Sequence, residues 1–198
     1  MTDEDALRAA VDEAASTGGS LDVLVNNAGV GAVGTVEEND LDEWRRVLEV
    51  NVLGIVSGTR AALPYLRRSR AAAVINTCSA AATVGLPRRA LYSASKGAVL
   101  ALTRAMAADH LADGVRVCCV NAGTADTPWV QRLLAQSERP AQERAALEAR
   151  QPSGRLVSAD EVFGAIAYLA SPSAGATTGT ALTVDSGLTG LRLPAAPR

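Results

Sequence analysis

Ala73-Val74-Ile75-Asn76-Thr77-Cys78-Ser79, followed thirteen residues beyond that serine by Tyr92-Ser93-Ala94-Ser95-Lys96, is the centre around which this chain is built. The first run is apolar and short. It reads as a buried strand that delivers a serine hydroxyl to the C-terminal edge of a sheet. The second run sets a tyrosine and a lysine four residues apart, which on a helix puts both side chains on one face, one turn apart. A phenol titrates near ~10 and a lysine near ~10.4, so neither works alone as an acid or base at neutral pH. A neighbouring ammonium favours the phenolate and is expected to lower the phenol's pKa, which suits proton transfer to and from an alcohol. By itself a Tyr-x-x-x-Lys pair is as well explained by a half-buried tyrosine beside a solvated lysine; its context must decide.

Working outward, short apolar strands alternate with helices along the whole chain. A first helix carries Ala6, Leu7, Ala10, Val11 and Ala14 at helical spacing, with Thr2 as its cap and Gly18-Gly19 as its stop. Residues 21–25 form a strand that ends in Asn26-Asn27-Ala28-Gly29. Asp40 caps a long amphipathic helix with Glu43 at the capping-box position, and Pro64 is expected to distort it near its end at about Arg67. Asn51 is a polar residue on the apolar stripe of that helix: it either satisfies a buried hydrogen bond or does chemistry. The helix bearing Tyr92 and Lys96 runs to about Leu111. A strand over 115–120 ends in Asn121-Ala122-Gly123. Two shorter helices cover residues 127–136 and 141–150. Asp160 and Glu161 open the last long helix, and 181–184 is the final strand. Residues 191–198 read as a flexible tail.

This alternation predicts an α/β fold, a Rossmann-like doubly wound parallel sheet, as one domain over residues 1–190. In such sheets sites form beyond the carboxyl ends of the strands, so Asn26–Gly29, Ser79 and the 121–127 loop are expected to meet Tyr92 and Lys96 in one cleft.

Composition narrows the function. Apolar residues make up 48% and charged residues 20% of the 198, with a net charge of −2, which argues against a nucleic-acid or membrane-surface binder. No apolar run is long enough to span a bilayer and the N-terminus is acidic, so a cytoplasmic protein is expected. Cys78, Cys118 and Cys119 each lie in an apolar run and read as small buried hydrophobes. With His110 as the single histidine and no Cys-x-x-Cys, no metal site is expected.

Together, Asn26-Asn27-Ala28-Gly29, Asn51, Ser79, Tyr92-x-x-x-Lys96, Asn121-Ala122-Gly123 with Thr127-Pro128, and Thr178-Gly179 leading to Val184-Asp185 resemble the short-chain dehydrogenases/reductases in order and spacing, over essentially the whole chain. The resemblance implies an NAD(P)-dependent oxidoreductase that interconverts a secondary alcohol and a ketone, usually as a homodimer or homotetramer. Tyr92 would be the acid/base, with Lys96 holding the nicotinamide ribose and lowering the tyrosine's pKa. Ser79 would donate to the substrate oxygen, and Asn51 would hold a relay water. Asn26, Ala28 and Gly29 would line the cofactor's ribose. Gly123, Ala125 and Thr127 would meet the nicotinamide end. The second half looks like the branch holding 3-hydroxybutyrate and sugar-acid dehydrogenases, such as 2-keto-3-deoxy-L-fuconate dehydrogenase. That implies a small-molecule substrate bearing a carboxylate, held by Arg89, Arg132 and Arg150, and favours NAD over NADP. The alternative for each arginine is an ordinary surface position.

The resemblance also marks departures. The family opens with a strand, a glycine-rich phosphate loop and a second strand that selects NAD or NADP; none of these is in the sequence, which matches from just after the family's third strand. The expectation is that the 21–25 strand becomes an exposed apolar edge. Three explanations are open: a start codon assigned too late, which is preferred; a truncated non-catalytic remnant serving as an oligomerisation or interaction module; or a partner or swapped segment covering the edge. Ala122 stands where the family prefers proline, and Ser186 where it prefers glycine.

Overall fold

The computed structural model describes residues 3–135 and 137–192. The Thr2 cap and the tail beyond residue 192 lie outside the described residues. Helix α1 (Glu4–Ser16) is capped by Asp3, whose carboxylate accepts from the Ala6 N–H at 2.9 Å, and Gly19 at φ 70 ends its last turn. β1 (Val23–Asn26) follows. The long helix comes in three pieces: α2 (Leu41–Leu48), a π-helical turn (Glu49–Leu53) and α3 (Gly54–Leu66). Asp40 caps it through Glu43 N–H as expected, but Glu43 turns its carboxylate to Asn39 instead of closing the box. The irregularity falls around Asn51, and the helix runs through Pro64 to Leu66.

β2 (Ala73–Thr77) is fully buried except for its last residue, and a short 3-10 turn (Ala80–Ala82) follows it. α4 (Ala90–Asp109) carries the Tyr92/Lys96 pair, and β3 (Arg116–Ala122) is buried throughout. Two two-residue strands the periodicity is too short to show, β4 (Ala125–Asp126) and β5 (Val157–Ser158), pair in parallel and tie the loop after β3 to the base of the last helix. Between them lie α5 (Pro128–Ala135) and α6 (Pro140–Ala149). α7 (Ala159–Ala170) opens on a reciprocal capping box between Ser158 and Glu161, and β6 (Ala181–Val184) closes the sheet.

The main sheet is parallel, in the order β1-β2-β3-β6. The β1–β2 register sets Asn26 opposite Asn76, and β2–β3 sets Asn76 opposite Cys119. One face packs Val74, Val117 and Cys119 against α1, α3 and α4; the other packs Ala73, Ile75, Cys118 and Val120 against α7. The strands are therefore hydrophobic on both sides, which is why they read as continuous apolar runs. Val23 and Val25, in register with Ala73 and Ile75, are 39% and 41% exposed, so the expected apolar edge is present. Ser186 has φ 55, a left-handed conformation that glycine adopts without strain, which explains the glycine preference at that point of the pattern.

Candidate active site

The C-terminal ends of β1, β2 and β3 open on the same side of the sheet, beside the first turns of α4. Ser79 leaves β2 in an extended conformation, and its Oγ accepts from the Ala81 N–H at 3.2 Å, so the turn over residues 80–82 fixes where the hydroxyl points. The Ser79 side chain biases the Tyr92 phenol toward ionisation. Lys96 is 5% exposed, and its Nζ donates to the Thr77 carbonyl at 2.8 Å and lies 5.8 Å from the Tyr92 ring centroid. Serine, tyrosine and lysine are thus brought together as the sequence implied.

Their electrostatics differ from the expectation. Burial is the largest influence on both partners: it holds the Tyr92 phenol above its ordinary value and the Lys96 ammonium below its own. Ser79 and the positive charge of Arg89 pull the phenol back toward ionisation, while Lys96 spends its proton on a backbone carbonyl. Tyr92 in this chain therefore stands as a neutral phenol, ready to donate.

Asn51 answers the question its position raised: it satisfies buried hydrogen bonds. Its Oδ1 accepts from the Val30 N–H at 2.8 Å; its Nδ2 donates to the Val30 carbonyl at 2.9 Å and to Ser95 Oγ at 3.0 Å. Ser95 in turn donates to the Tyr92 carbonyl at 2.8 Å. The π-turn rotates this amide out of the apolar stripe to clamp the loop after β1 onto the first turn of α4. Replacing Asn51 with Ala leaves both Val30 backbone groups without this partner. The expected loss is about 1–3 kcal/mol, read as a lower urea midpoint at unchanged slope; an unchanged midpoint would contradict the clamp.

Gly29 is exposed beside this cluster. A Cβ there would stand 3.3 Å from Asn51 Oδ1 and 3.6 Å from Lys96 Nζ, so the loop lies directly over both side chains. Ala28 is exposed next to it. Asn26 is not: its Nδ2 donates to Asn76 Oδ1 at 2.9 Å and to Thr59, and Asn76 donates on to Thr103. This polar ladder across β1, β2, α3 and α4 escapes sequence reading because its members are far apart in the chain. Gly123 packs so tightly that a Cβ would sit 3.0 Å from Asp185 Cα. Ala125 lies in β4, and Thr127 caps α5 by accepting from Val130 N–H at 3.4 Å.

Of the three arginines, Arg89 lies near enough to Arg150 to feel its charge, and Arg132 is carried on a different helix, α5. Arg89 sits at the N-cap of α4 and donates to the Ala32 carbonyl at 3.0 Å. Burial and then the nearby Arg150 charge lower its pKa. Arg150 is exposed at the end of α6, while Arg132 is exposed in the last turn of α5. A residue the sequence reading left unassigned, Gln151, is buried beside Arg150. Its Nε2 donates to Thr124 Oγ1 at 3.2 Å, and its Oε1 lies against Gly123 without a partner. Its signal was a polar residue next to the arginine at a helix end.

These residues suit the nicotinamide-ribose end of a dinucleotide: a side-chain-free surface at Ala28–Gly29, an ammonium beneath it and a neutral phenol beside it. No phosphate cradle accompanies them among the described residues. Gly18-Gly19 closes α1, and the start of α1 carries Asp3, Glu4 and Asp5, which repel an anion. No group of acidic, histidine or cysteine side chains there suits a metal ion, and no helix among them is long and apolar enough to cross a membrane.

Comparisons agree with this geometry. A family model described as enoyl-(acyl carrier protein) reductase matches residues 1–189. The chain is 42% identical over 190 residues to cis-4-hydroxycyclohexanecarboxylate dehydrogenase of Sinomonas cyclohexanicum, covering 96% of this chain and 74% of that one. It is 39% identical to a protein of Xanthobacter autotrophicus named inactive 2-(S)-hydroxypropyl-CoM dehydrogenase 2, covering 96% and 83%. The ligand-free structure of Thermoplasma acidophilum aldohexose dehydrogenase superposes with a TM-score of 0.91 at 33% identity, covering 100% of this chain and 79% of that one. Parallel sheet, serine–tyrosine–lysine cluster and relatives all lead to one assignment: the chain belongs to the short-chain dehydrogenase/reductase family of oxidoreductases.

Proposed function

We propose that the chain interconverts a secondary alcohol and a ketone on a small hydroxy acid or sugar acid with a nicotinamide cofactor, NAD in preference to NADP. The observation that carries this reading is the convergence of Ser79, Tyr92 and Lys96 at the strand ends with two guanidiniums, Arg89 and Arg150, at their margin. The cofactor supplies a hydride acceptor or donor. Ala28, Gly29 and Lys96 would hold its ribose, and Gly123, Ala125 and Thr127 would line its nicotinamide end.

Tyr92 gives its phenol proton to the carbonyl oxygen in reduction and takes it back in oxidation. Ser79 donates to the same oxygen as negative charge gathers there. Asn51 holds the floor on which Tyr92 and Gly29 stand; its side chain is spent on that clamp, and a relay water there remains an inference from the family resemblance. Arg89 feels the charges of Arg150 and Arg88, opposed by Tyr92, and is in no ion pair among the described residues, which supports an anionic substrate as its partner. Exposed Phe163 and Tyr168, on the outer side of α7, support assembly as a homodimer or homotetramer.

Formation of reduced cofactor from NAD or NADP, scanned over short hydroxy acids and matched neutral alcohols, tests the reading. Turnover with NAD and a hydroxy acid is expected, at high cofactor concentration because the phosphate grip is not among the described residues. Turnover of the neutral alcohols alone would remove the acid; none with any would leave the second reading, a non-catalytic interaction module, which the exposed Val23/Val25 edge favours.

A further inference from the structure

Lys96 is the only lysine in the chain, and it is buried. Among the described residues one group holds its Nζ, the Thr77 carbonyl at 2.8 Å. The next residue along β2 meets the same lysine again: Cys78 Sγ contacts the Lys96 carbonyl at 3.3 Å. The end of β2 thus docks both the ammonium and the backbone of Lys96, and whatever fixes Thr77 fixes the ammonium.

Thr77 is fixed differently on its two sides. Toward β3 the backbone ladder runs on past it: Thr77 stands in register with Val120, and the Cys78 N–H donates to the Val120 carbonyl at 2.9 Å. Toward β1 the ladder stops one residue short, at Asn26 opposite Asn76. A side-chain bond takes over there, in which Thr77 Oγ1 donates to Asn27 Oδ1 at 2.9 Å. Asn27 opens the loop Asn27-Ala28-Gly29, and a Cβ on Gly29 would stand 3.6 Å from Lys96 Nζ. One hydroxyl therefore ties the carbonyl that holds the ammonium to the loop that passes over it.

We propose that Thr77 is a positioning residue for Lys96, whose hydroxyl bond to Asn27 sets how far the ammonium stands from the Ala28–Gly29 loop. An ammonium has three donors, and the Thr77 carbonyl takes one; two are left for a ligand lying between loop and lysine. Without the bond, β2 stays anchored on β3, and the far end of the loop stays held at Val30 by Asn51. What moves is Asn27–Gly29. Asn27 is exposed and Thr77 half-buried, so water replaces the lost partner at little cost in stability. Loss of the bond then shows at Lys96 and in cofactor use, and hardly in the melting curve. The effect on the lysine is independent of the proposed function; the effect on cofactor use rests on that reading.

Protein carrying a nitrogen isotope label at lysine Nζ gives one side-chain ammonium signal in NMR, because the chain has one lysine. Thr77→Val keeps the shape of the side chain and removes the hydroxyl; it is expected to shift and broaden that signal, and Thr77→Ser to restore it. Asn27→Ala removes the same bond from the other side and should act alike, with no further change in the double variant. In turnover, Thr77→Val should raise KM for the cofactor about 2–10-fold, the effect of one neutral hydrogen bond, and leave KM for the hydroxy acid nearly unchanged. A signal unmoved by Thr77→Val or by Asn27→Ala, one that Thr77→Ser fails to restore, or effects that add in the double variant would each overturn the proposal. Equal rises in the two KM values would place the effect in the fold at large and overturn it too. A responding signal in a chain that turns nothing over would support the positioning role and count against the proposed function alone.

Discussion

Replacing Tyr92 with Phe is expected to lower turnover about 10²–10⁴-fold, the usual contribution of one positioned acid or base, while leaving the fold intact. The ring stays packed with Ala32, Val47 and Leu91, and only the hydroxyl is removed. Thermal unfolding should therefore shift little, since the ring's packing is kept. The pH dependence follows from the same environment. Burial holds the phenol above its ordinary 10.0, so it is protonated across the neutral range. Ketone reduction needs that proton and should be level through neutrality, failing only in strong alkali. Alcohol oxidation needs the phenolate and should climb with pH over the same range. Ser79 and Arg89 both pull the phenol down, so Arg89→Ala should push the alkaline limit of reduction higher. The measurements are initial rates in both directions against pH, beside a melting curve. Turnover within a few-fold of the parent in Tyr92→Phe would remove Tyr92 from its role.

Most of the architecture was legible because the parallel strands are apolar on both faces and the helices between them carry plain start and stop signals. Asp40, Gly18-Gly19 and the Asp160-Glu161 start each marked an end to within a residue or two. The site was legible in its members because they sit at strand ends or one turn apart on a helix, positions that local sequence encodes. What the sequence hid are the properties that depend on distant residues. The π-turn at Glu49–Leu53 has no composition of its own; it exists because Asn51 reaches Val30 and Ser95. The Tyr92 shift was expected downward from the adjacent lysine, yet burial is the largest influence and raises it, and the groups that oppose it are Ser79 and Arg89. Asn26 was placed toward a ribose by its neighbours in the motif, while its side chain is taken by Asn76 and Thr59, fifty and thirty-three residues away. Which of the three arginines act on one another is not legible in the sequence; the fold puts Arg150, not Arg132, among the charges acting on Arg89.

That separation sets the second large effect. Arg150→Ala should raise KM for a hydroxy acid about 10–100-fold with little change in kcat, because a charge-assisted hydrogen bond contributes about 1.5–3 kcal/mol and binds substrate and transition state alike. KM for a matched neutral alcohol should be nearly unchanged, or lower where the guanidinium's desolvation is relieved. Arg132→Ala, exposed on α5, where its charge is not among those acting on Arg89, should alter both less. Arg89→Ala is predicted to do more than Arg150→Ala, because Arg89 also donates to the Ala32 carbonyl and its charge acts on Tyr92; kcat should fall along with the rise in KM. Arg150→Lys separates charge from shape. A lysine keeps the positive charge but not the planar fork, so partial rescue of KM is expected if the carboxylate is held bidentately, and full rescue if only the field matters. Arg150 is a suitable probe because it is exposed and caps α6 through its backbone, so its side chain can be removed without opening the core. Equal effects of Arg150→Ala on the acid and the neutral alcohol would show that the two guanidiniums do not grip a carboxylate, and the substrate would then have to be sought among neutral secondary alcohols.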